Sequence, residues 1–217
     1  MKKEIITPQE AISKIKDGMT LMIGGFLGGG SPENIIDALV ESNLKDFTII
    51  GNDTGFPNKG IGKLIAAKKV KKVIVSHIGT NPLTIEQLNN KELEVVFVPQ
   101  GTLAEQVRCG GSGLGGILTP TGVGTAVEEG KQKIELDGKT YLLETALRGD
   151  VALVGASIAD QSGNLVHKGT TQNFNPLIAM ACDLVIAEAE EIVETGNIPM
   201  EQIHTQNIFV DFIVQRN

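Results

Sequence analysis

Short apolar runs alternate with helix-start signals along this chain, and that rhythm restricts the architecture more than any other feature. Six runs, at residues 20–23, 47–50, 73–75, 93–98, 151–154 and 184–187, are three to six residues long and rich in Val, Ile and Leu. Runs of that length and composition fit buried strands. Helix candidates lie between most of them. Thr7-Pro8-Gln9-Glu10 is a capping box with proline at the first helical position. Ser31-Pro32 opens a second helix with Ile35, Ile36, Leu39 and Val40 on one face. Strands that alternate with helices predict an α/β fold: an open, mostly parallel sheet covered by helices. Two segments break the rhythm as β-hairpins. Asp137-Gly138 separates the alternating runs 133–136 and 141–144, and Gln161-Ser162-Gly163-Asn164 marks a second turn. The glycine-rich stretch 110–124 reads as an ordered loop. No internal repeat or linker interrupts residues 1–217, so one domain is expected.

Composition removes several classes of function. The formal net charge is -7, against the basic patch that a nucleic-acid binder needs. The richest basic run, Lys68-Lys69-Val70-Lys71-Lys72, reads as a solvated helix end. No stretch approaches 18 apolar residues, so no membrane span is expected. The two lysines near the N-terminus precede no apolar run, so no signal peptide is expected and the cytoplasm is the expected compartment. Cys109 and Cys182 lie too far apart in sequence for a C-x-x-C pair and read as reduced, buried thiols. Glu188, Glu190, Glu191 and Glu194 have no His or Cys beside them, so a solvated face is expected rather than a metal site.

Glycines cluster where strands end. In an open parallel sheet ligands bind beyond the carboxyl ends of the strands. Gly24, Gly25, Phe26, Leu27, Gly28, Gly29 and Gly30 follow the first long strand and lead into a helix. Glycine there permits tight turns and close approach of backbone to a ligand. A ligand-binding loop and a purely structural turn both fit. Phe26 is expected in the core. The only G-x-G-x-x-G, at 111–116, follows a helix rather than a strand, and Gly138-Lys139-Thr140 lacks the first P-loop glycine because Lys133 stands there. Other strand ends carry Asn52 and Asp53, His77, and Gln100, which sits before a glycine. His77 is expected to make structural hydrogen bonds.

Residues 17–32, DGMTLMIGGFLGGGSP, resemble the first signature of the family I CoA-transferases: D-G, apolar residues, G-G-F, then G-x-P. The likeness continues in order through residues 51–55, 76–81, 98–102, 109–113, 119–125 and 173–176. It is similar to the alpha subunits of acetate or butyrate to acetoacetate CoA-transferases. The resemblance implies a ping-pong reaction in which a glutamate carboxylate attacks an acyl-CoA thioester and becomes a glutamyl-CoA. The family carries that glutamate in an S-E-N-G motif on a beta subunit, and this chain has no S-E-N-G. The resemblance therefore implies a beta-subunit partner in a heterotetramer of two alpha and two beta chains. Coenzyme A is then a substrate, and no cofactor or metal is implied. Gln100 falls where the family's oxyanion-site glutamine stands. Gly24 to Gly30 become the candidate segment for acyl-CoA, and Asn52 and Asp53 the candidate acid pocket. The competing readings are a scaffolding or regulatory partner without activity, and a dinucleotide-binding oxidoreductase domain.

Overall fold

The computed structural model describes residues 2–216. In chain order the elements begin β1 (Glu4–Ile6), α1 (Pro8–Ile12), β2 (Thr20–Ile23), α2 (Glu33–Glu41), β3 (Phe47–Ile50), α3 (Ile61–Ala66) and β4 (Val70–Val75). There follow α4 (Pro82–Asn89), β5 (Glu94–Phe97), α5 (Gln100–Gly111), β6 (Gly116–Thr119), β7 (Lys133–Leu136), β8 (Lys139–Thr145) and β9 (Gly149–Asp160). The last are β10 (Leu165–Val166), α6 (Asn175–Met180), β11 (Cys182–Val193) and β12 (Phe212–Gln215). Among the described residues the strands form one large sheet, ordered β1-β12-β11-β9-β2-β3-β4-β5 with β10 paired to β9, and a small sheet β6-β8-β7. Every pairing in the large sheet is parallel except β10 with β9.

The period of two along each strand sorts side chains onto two faces. Leu21, Ile23, Ile49, Val73, Val151 and Leu153 pack beneath α1 to α4. Met22, Ile50, Ala152 and Val154 face α5 and α6. Both faces are buried, which is why the strands read as continuous apolar runs. The sequence signals at helix starts act as expected. Thr7 Oγ1 accepts from the Glu10 amide at 3.2 Å, and the Glu10 carboxylate takes the Thr7 amide at 2.8 Å. Helix α2 has no side-chain cap of its own at Pro32. Glu188 on β11 supplies one across the sheet, accepting the Ile35 amide at 2.9 Å. That carboxylate is 1% exposed, so the expected solvated face holds for Glu190, Glu191 and Glu194 but not for Glu188.

Several expectations need correction. The lysine run is divided: Lys68, at φ 53°, and Lys69 bond back to Ile65 and Leu64 and close α3 as a helix end, while Lys71 and Lys72 lie in β4. The Lys72 ammonium meets Glu94 of β5 at 2.8 Å, so the charges pair across neighbouring strands. The 110–124 stretch is not one loop, since Gly110 and Gly111 close α5 and residues 116–119 form β6. The two hairpins stand as expected, with Asp137 and Gly138 at positive φ between β7 and β8. Both cysteines are buried and free, and burial pushes the Cys182 thiol up to about 12.

Strand order places the site. The chain runs outward from β2 through β3 and β4 to β5, and then returns to the opposite side of β2 as β9. The order reverses at the β2–β9 junction, and a crevice opens beyond the carboxyl ends of strands at such a switch point.

Candidate active site

Four consecutive carboxyl-end segments meet beside this junction. The glycine segment leaves β2, Asn52 and Asp53 leave β3, Ser76 and His77 leave β4, and Gln100 begins α5 just after β5. The Gln100 amide is held at both ends. Its Nε2 donates to Asn52 Oδ1, and its Oε1 accepts from Ser76 Oγ. The Ser76 hydroxyl also reaches the Asn52 carbonyl at 2.8 Å, so one hydrogen serves two acceptors.

The orientation of the amide follows from the glycine segment. The Gly25 carbonyl can only accept, so it must face the Asn52 Nδ2 group, at 3.0 Å. Asn52 Oδ1 then faces Gln100, which must present nitrogen to it. Asn52 is 2% exposed and uses both of its ends in this relay, while Gln100 is exposed. One hydrogen of Nε2 remains beyond the bond to Asn52. The arrangement is an amide donor of fixed orientation at a solvent-facing strand end, a device suited to an oxygen that gains negative charge.

The candidate acyl-CoA segment is a folded turn rather than an open cradle. Phe26 and Gly29 exchange two backbone hydrogen bonds at 3.0 and 2.8 Å. Asp53 takes the Leu27 amide on Oδ2 at 3.1 Å and the Gly55 amide on Oδ1 at 2.7 Å. Asn173 accepts the Gly25 amide at 3.0 Å and donates to the Gly29 carbonyl at 3.1 Å. Asn175 donates to the Gly30 carbonyl at 3.0 Å and accepts the Gly155 amide of β9 at 2.9 Å. At two positions glycine is required by the protein itself. A Cβ on Gly24 would lie 1.7 Å from Asn175 Oδ1, and one on Gly25, at φ 133°, would lie 2.2 Å from Ser31 Oγ. The concavity bounded by Gly24, Gly25, Gly28, Ser31 and Asp53 is too narrow to admit a water-sized group.

Phe26 does not enter the core: it is 52% exposed at the tip of this turn. The next loop repeats the design. Phe56 and Lys59 close a like turn after β3, Phe56 is 42% exposed, and the Lys59 side chain lies over Gly28. This local repeat is visible in sequence as Gly25-Phe26 and Gly55-Phe56, each followed by glycine four residues after Phe. His77 is exposed, with its ring against Gly79, and its side chain makes no hydrogen bond to the described residues, contrary to expectation.

Ser76, Asn173 and Asn175 fall inside segments of the family resemblance but have no individual role in the sequence reading, and His167 carries no signal there. A strand-end hydroxyl beside His77 marks Ser76. The two asparagines join the glycine segment from 144 to 148 positions away, a pairing no local pattern reveals. His167 is 2% exposed, donates through Nδ1 to the Gly155 carbonyl at 3.0 Å and accepts from Thr205 Oγ1 on Nε2 at 3.0 Å. Burial holds its imidazole down at about 4, with the neighbouring His204 acting in the same direction.

Fold and site together define an α/β protein that presents a held amide donor at a switch-point crevice. Residues 5–216 match the family model for Coenzyme A transferase, and the chain belongs to that family. It is 53% identical over 214 residues to the acetate CoA-transferase subunit alpha of Escherichia coli K12, covering 99% of this chain and 97% of that one. It is 53% identical over 215 residues to the acetoacetyl-CoA:acetate/butyrate CoA transferase alpha subunit of Clostridium acetobutylicum, covering 99% of each. Among solved structures, the acyl-CoA transferase YdiF of Escherichia coli O157:H7 superposes with a TM-score of 0.88 at 22% identity. That match covers 99% of this chain and 47% of YdiF, so this chain spans about half of that one. Glutaconate coenzyme A-transferase from Acidaminococcus fermentans gives a TM-score of 0.87 at 18% identity, covering 98% and 75%. At these identities the likeness establishes the fold. Among the described residues no helix is long and apolar enough to cross a membrane.

Proposed function

We propose that this chain is the alpha subunit of an acyl-CoA:acid CoA-transferase that moves coenzyme A between short-chain acids such as acetate, butyrate and acetoacetate. The observation that carries the reading is 53% identity, over nearly the full length of both chains, to two proteins named as alpha subunits of such transferases. The held amide of Gln100 supports it, because acyl transfer from a thioester needs a donor at the carbonyl oxygen.

In this reading a glutamate of the beta subunit attacks the thioester carbonyl carbon, and the C–S bond breaks to release CoA thiolate. The thiolate then attacks the glutamyl carbonyl of the mixed anhydride and expels the first acid as its carboxylate. The second acid reverses both steps. Negative charge appears on the attacked carbonyl oxygen in each addition, and the free Nε2 hydrogen of Gln100 is the donor assigned to it. Phe26, exposed at the rim, and the turn behind it form the wall that acyl-CoA meets. Asn52 and Asp53 serve by holding Gln100 and that turn, which refines their expected part in an acid pocket. Coenzyme A is a substrate, no other cofactor enters, the complex is two alpha with two beta chains, and it works in the cytoplasm.

The test is reconstitution. The purified chain alone should not transfer CoA from acetoacetyl-CoA to acetate or butyrate, and co-expression with the adjacent reading frame should restore transfer. Turnover by this chain alone, or none in the reconstituted complex over a panel of acids, would overturn the proposal.

A further inference from the structure

The register that sets Ile50 beside Ile74 continues past the ends of β3 and β4, bringing Asn52 beside Ser76 and, one step on, Asp53 beside His77. In that pairing the Ser76 amide donates to the Asn52 carbonyl at 3.0 Å. The carbonyl therefore has a backbone donor of its own. The Ser76 hydroxyl lies 2.8 Å from the same carbonyl and also meets Gln100 Oε1. Its hydrogen is not needed by the backbone, and Gln100 Oε1 has no other donor among the described residues.

Two properties of the Gln100 amide depend on that hydroxyl. The first is its plane. Gln100 is exposed, and the last torsion of a glutamine is broad. The bond from Nε2 to Asn52 Oδ1 fixes where the nitrogen sits, but it lets the amide plane swing about that bond. A second bond at Oε1 fixes the plane and so the direction of the remaining Nε2 hydrogen. The second is its strength as a donor. The Ser76 hydroxyl donates to Gln100, Gln100 donates to Asn52, and Asn52 donates to the Gly25 carbonyl. Every link runs in the same sense, and the members of such a chain polarise one another. A hydrogen bond accepted at Oε1 draws density toward the oxygen and leaves the Nε2 hydrogens more positive.

We infer that Ser76 is a positioning residue for the transfer reaction: its hydroxyl locks the plane of the Gln100 amide and sharpens the free Nε2 hydrogen as a donor. Ser76 itself touches no reacting atom. The inference rests on the reading of Gln100 as the donor to the thioester oxygen. When the hydroxyl is removed, water can bond to the exposed Oε1, and the Asn52 carbonyl keeps the Ser76 amide, so the fold loses little. Water cannot restore the fixed plane, so the rate falls.

The variants are Ser76→Ala, Ser76→Thr, Gln100→Ala and the double variant of Ser76→Ala with Gln100→Ala, each in the complex reconstituted with the beta subunit. Ser76→Ala should lower kcat about tenfold, the rate equivalent of one neutral hydrogen bond. KM for acyl-CoA should stay within about twofold, and Tm within about 2 °C. Ser76→Thr keeps the hydroxyl and should recover most of the rate. With Gln100→Ala already present, Ser76→Ala should cost less than about twofold more. A merely structural serine would lower Tm and cost the same in both backgrounds. Three results would overturn the inference: a normal rate in Ser76→Ala, a defect confined to KM, or an undiminished loss when Gln100 is absent. A slow Gln100→Ala beside a normal Ser76→Ala removes this inference alone, whereas no transfer by the wild-type complex removes the transferase reading with it.

Discussion

Replacing Gln100 by Ala separates two consequences that the structure links. Gln100 itself is exposed, and water replaces most of what its own amide loses. Asn52 is not exposed: it is 2% accessible, and its Oδ1 loses the donor that Gln100 supplies. An orphaned buried acceptor costs about 1–3 kcal/mol. For a chain of this size each kcal/mol lowers Tm by about 2–4 °C, so a fall of roughly 2–12 °C is expected in Gln100→Ala. The barrier should rise by more. Loss of one oxyanion donor costs about 10²-fold or more in kcat, or about 2.7 kcal/mol at 1.36 kcal/mol per decade. KM for acyl-CoA should move less, because the donor acts chiefly on the transition state. Rapid-quench measurement of glutamyl-CoA formation in the reconstituted complex reads the step, and calorimetry on the same sample reads Tm. A near-normal rate of that step, or a defect confined to KM, would remove Gln100 from the oxyanion role. An unchanged Tm would show that the bond to Asn52 contributes nothing.

Four further substitutions test the surroundings. Gly24→Ala and Gly25→Val put Cβ atoms within 1.7 Å of Asn175 and 2.2 Å of Ser31; both should lose stability together with activity, by about 1–3 kcal/mol or more, and a variant that lost activity at unchanged Tm would make the segment a ligand cradle instead. His167 is held neutral down to about 4, while the unfolded chain takes up that proton near pH 6.5. Stability should therefore fall by up to about 3 kcal/mol as pH drops from 6.5 to 4, and urea titrations of His167→Gln should show that part of the pH dependence flattened. Burial, only partly offset by the amides of Ile35 and Asn34 and by Arg216, raises Glu188 above the usual carboxylate range. Its stabilising share is present below the unfolded value near pH 4.3 and is lost as pH rises through the folded one. The wild-type margin over Glu188→Gln should thus shrink between pH 4 and 8, and a margin that grew would contradict the burial argument.

The repeating apolar runs announced the parallel sheet because both of its faces are covered, so each central strand had to be apolar throughout. The edge strand β1 and its inner neighbour β12 stayed hidden because they are only three and four residues long, too short for a pattern to show. Strands β9 and β11 read as shorter than they are, since Ser157 and Glu188 interrupt the apolar pattern yet stay in the strands. Gln100 and Asn52 were legible as strand-end residues. The relay that joins them to the Gly25 carbonyl was not, because it depends on which strands are neighbours. Phe26 was misread for a related reason: residue type favours the core, but the Phe26–Gly29 turn turns the ring outward. Glu188 was misread because three neighbouring glutamates suggest a wet surface, while helix α2 lacked a cap and took one from the next layer.

The reversal of strand order at β2 also sets a schedule. On the ribosome, β2 to β5 can assemble in sequence with α2 to α4, each unit packing on the last. The other edge of β2, carrying Leu21, Met22 and Ile23, then waits for residues 151–153 of β9. At about 5–20 residues per second that interval lasts roughly 6–26 s. Throughout it a bare apolar strand offers unpaired N–H and C=O groups to any passing chain, the commonest route to edge-to-edge association. The nascent half-protein is therefore the form in greatest need of a chaperone, and slowing translation between β5 and β9 should raise the aggregated fraction without altering the stability of the finished fold.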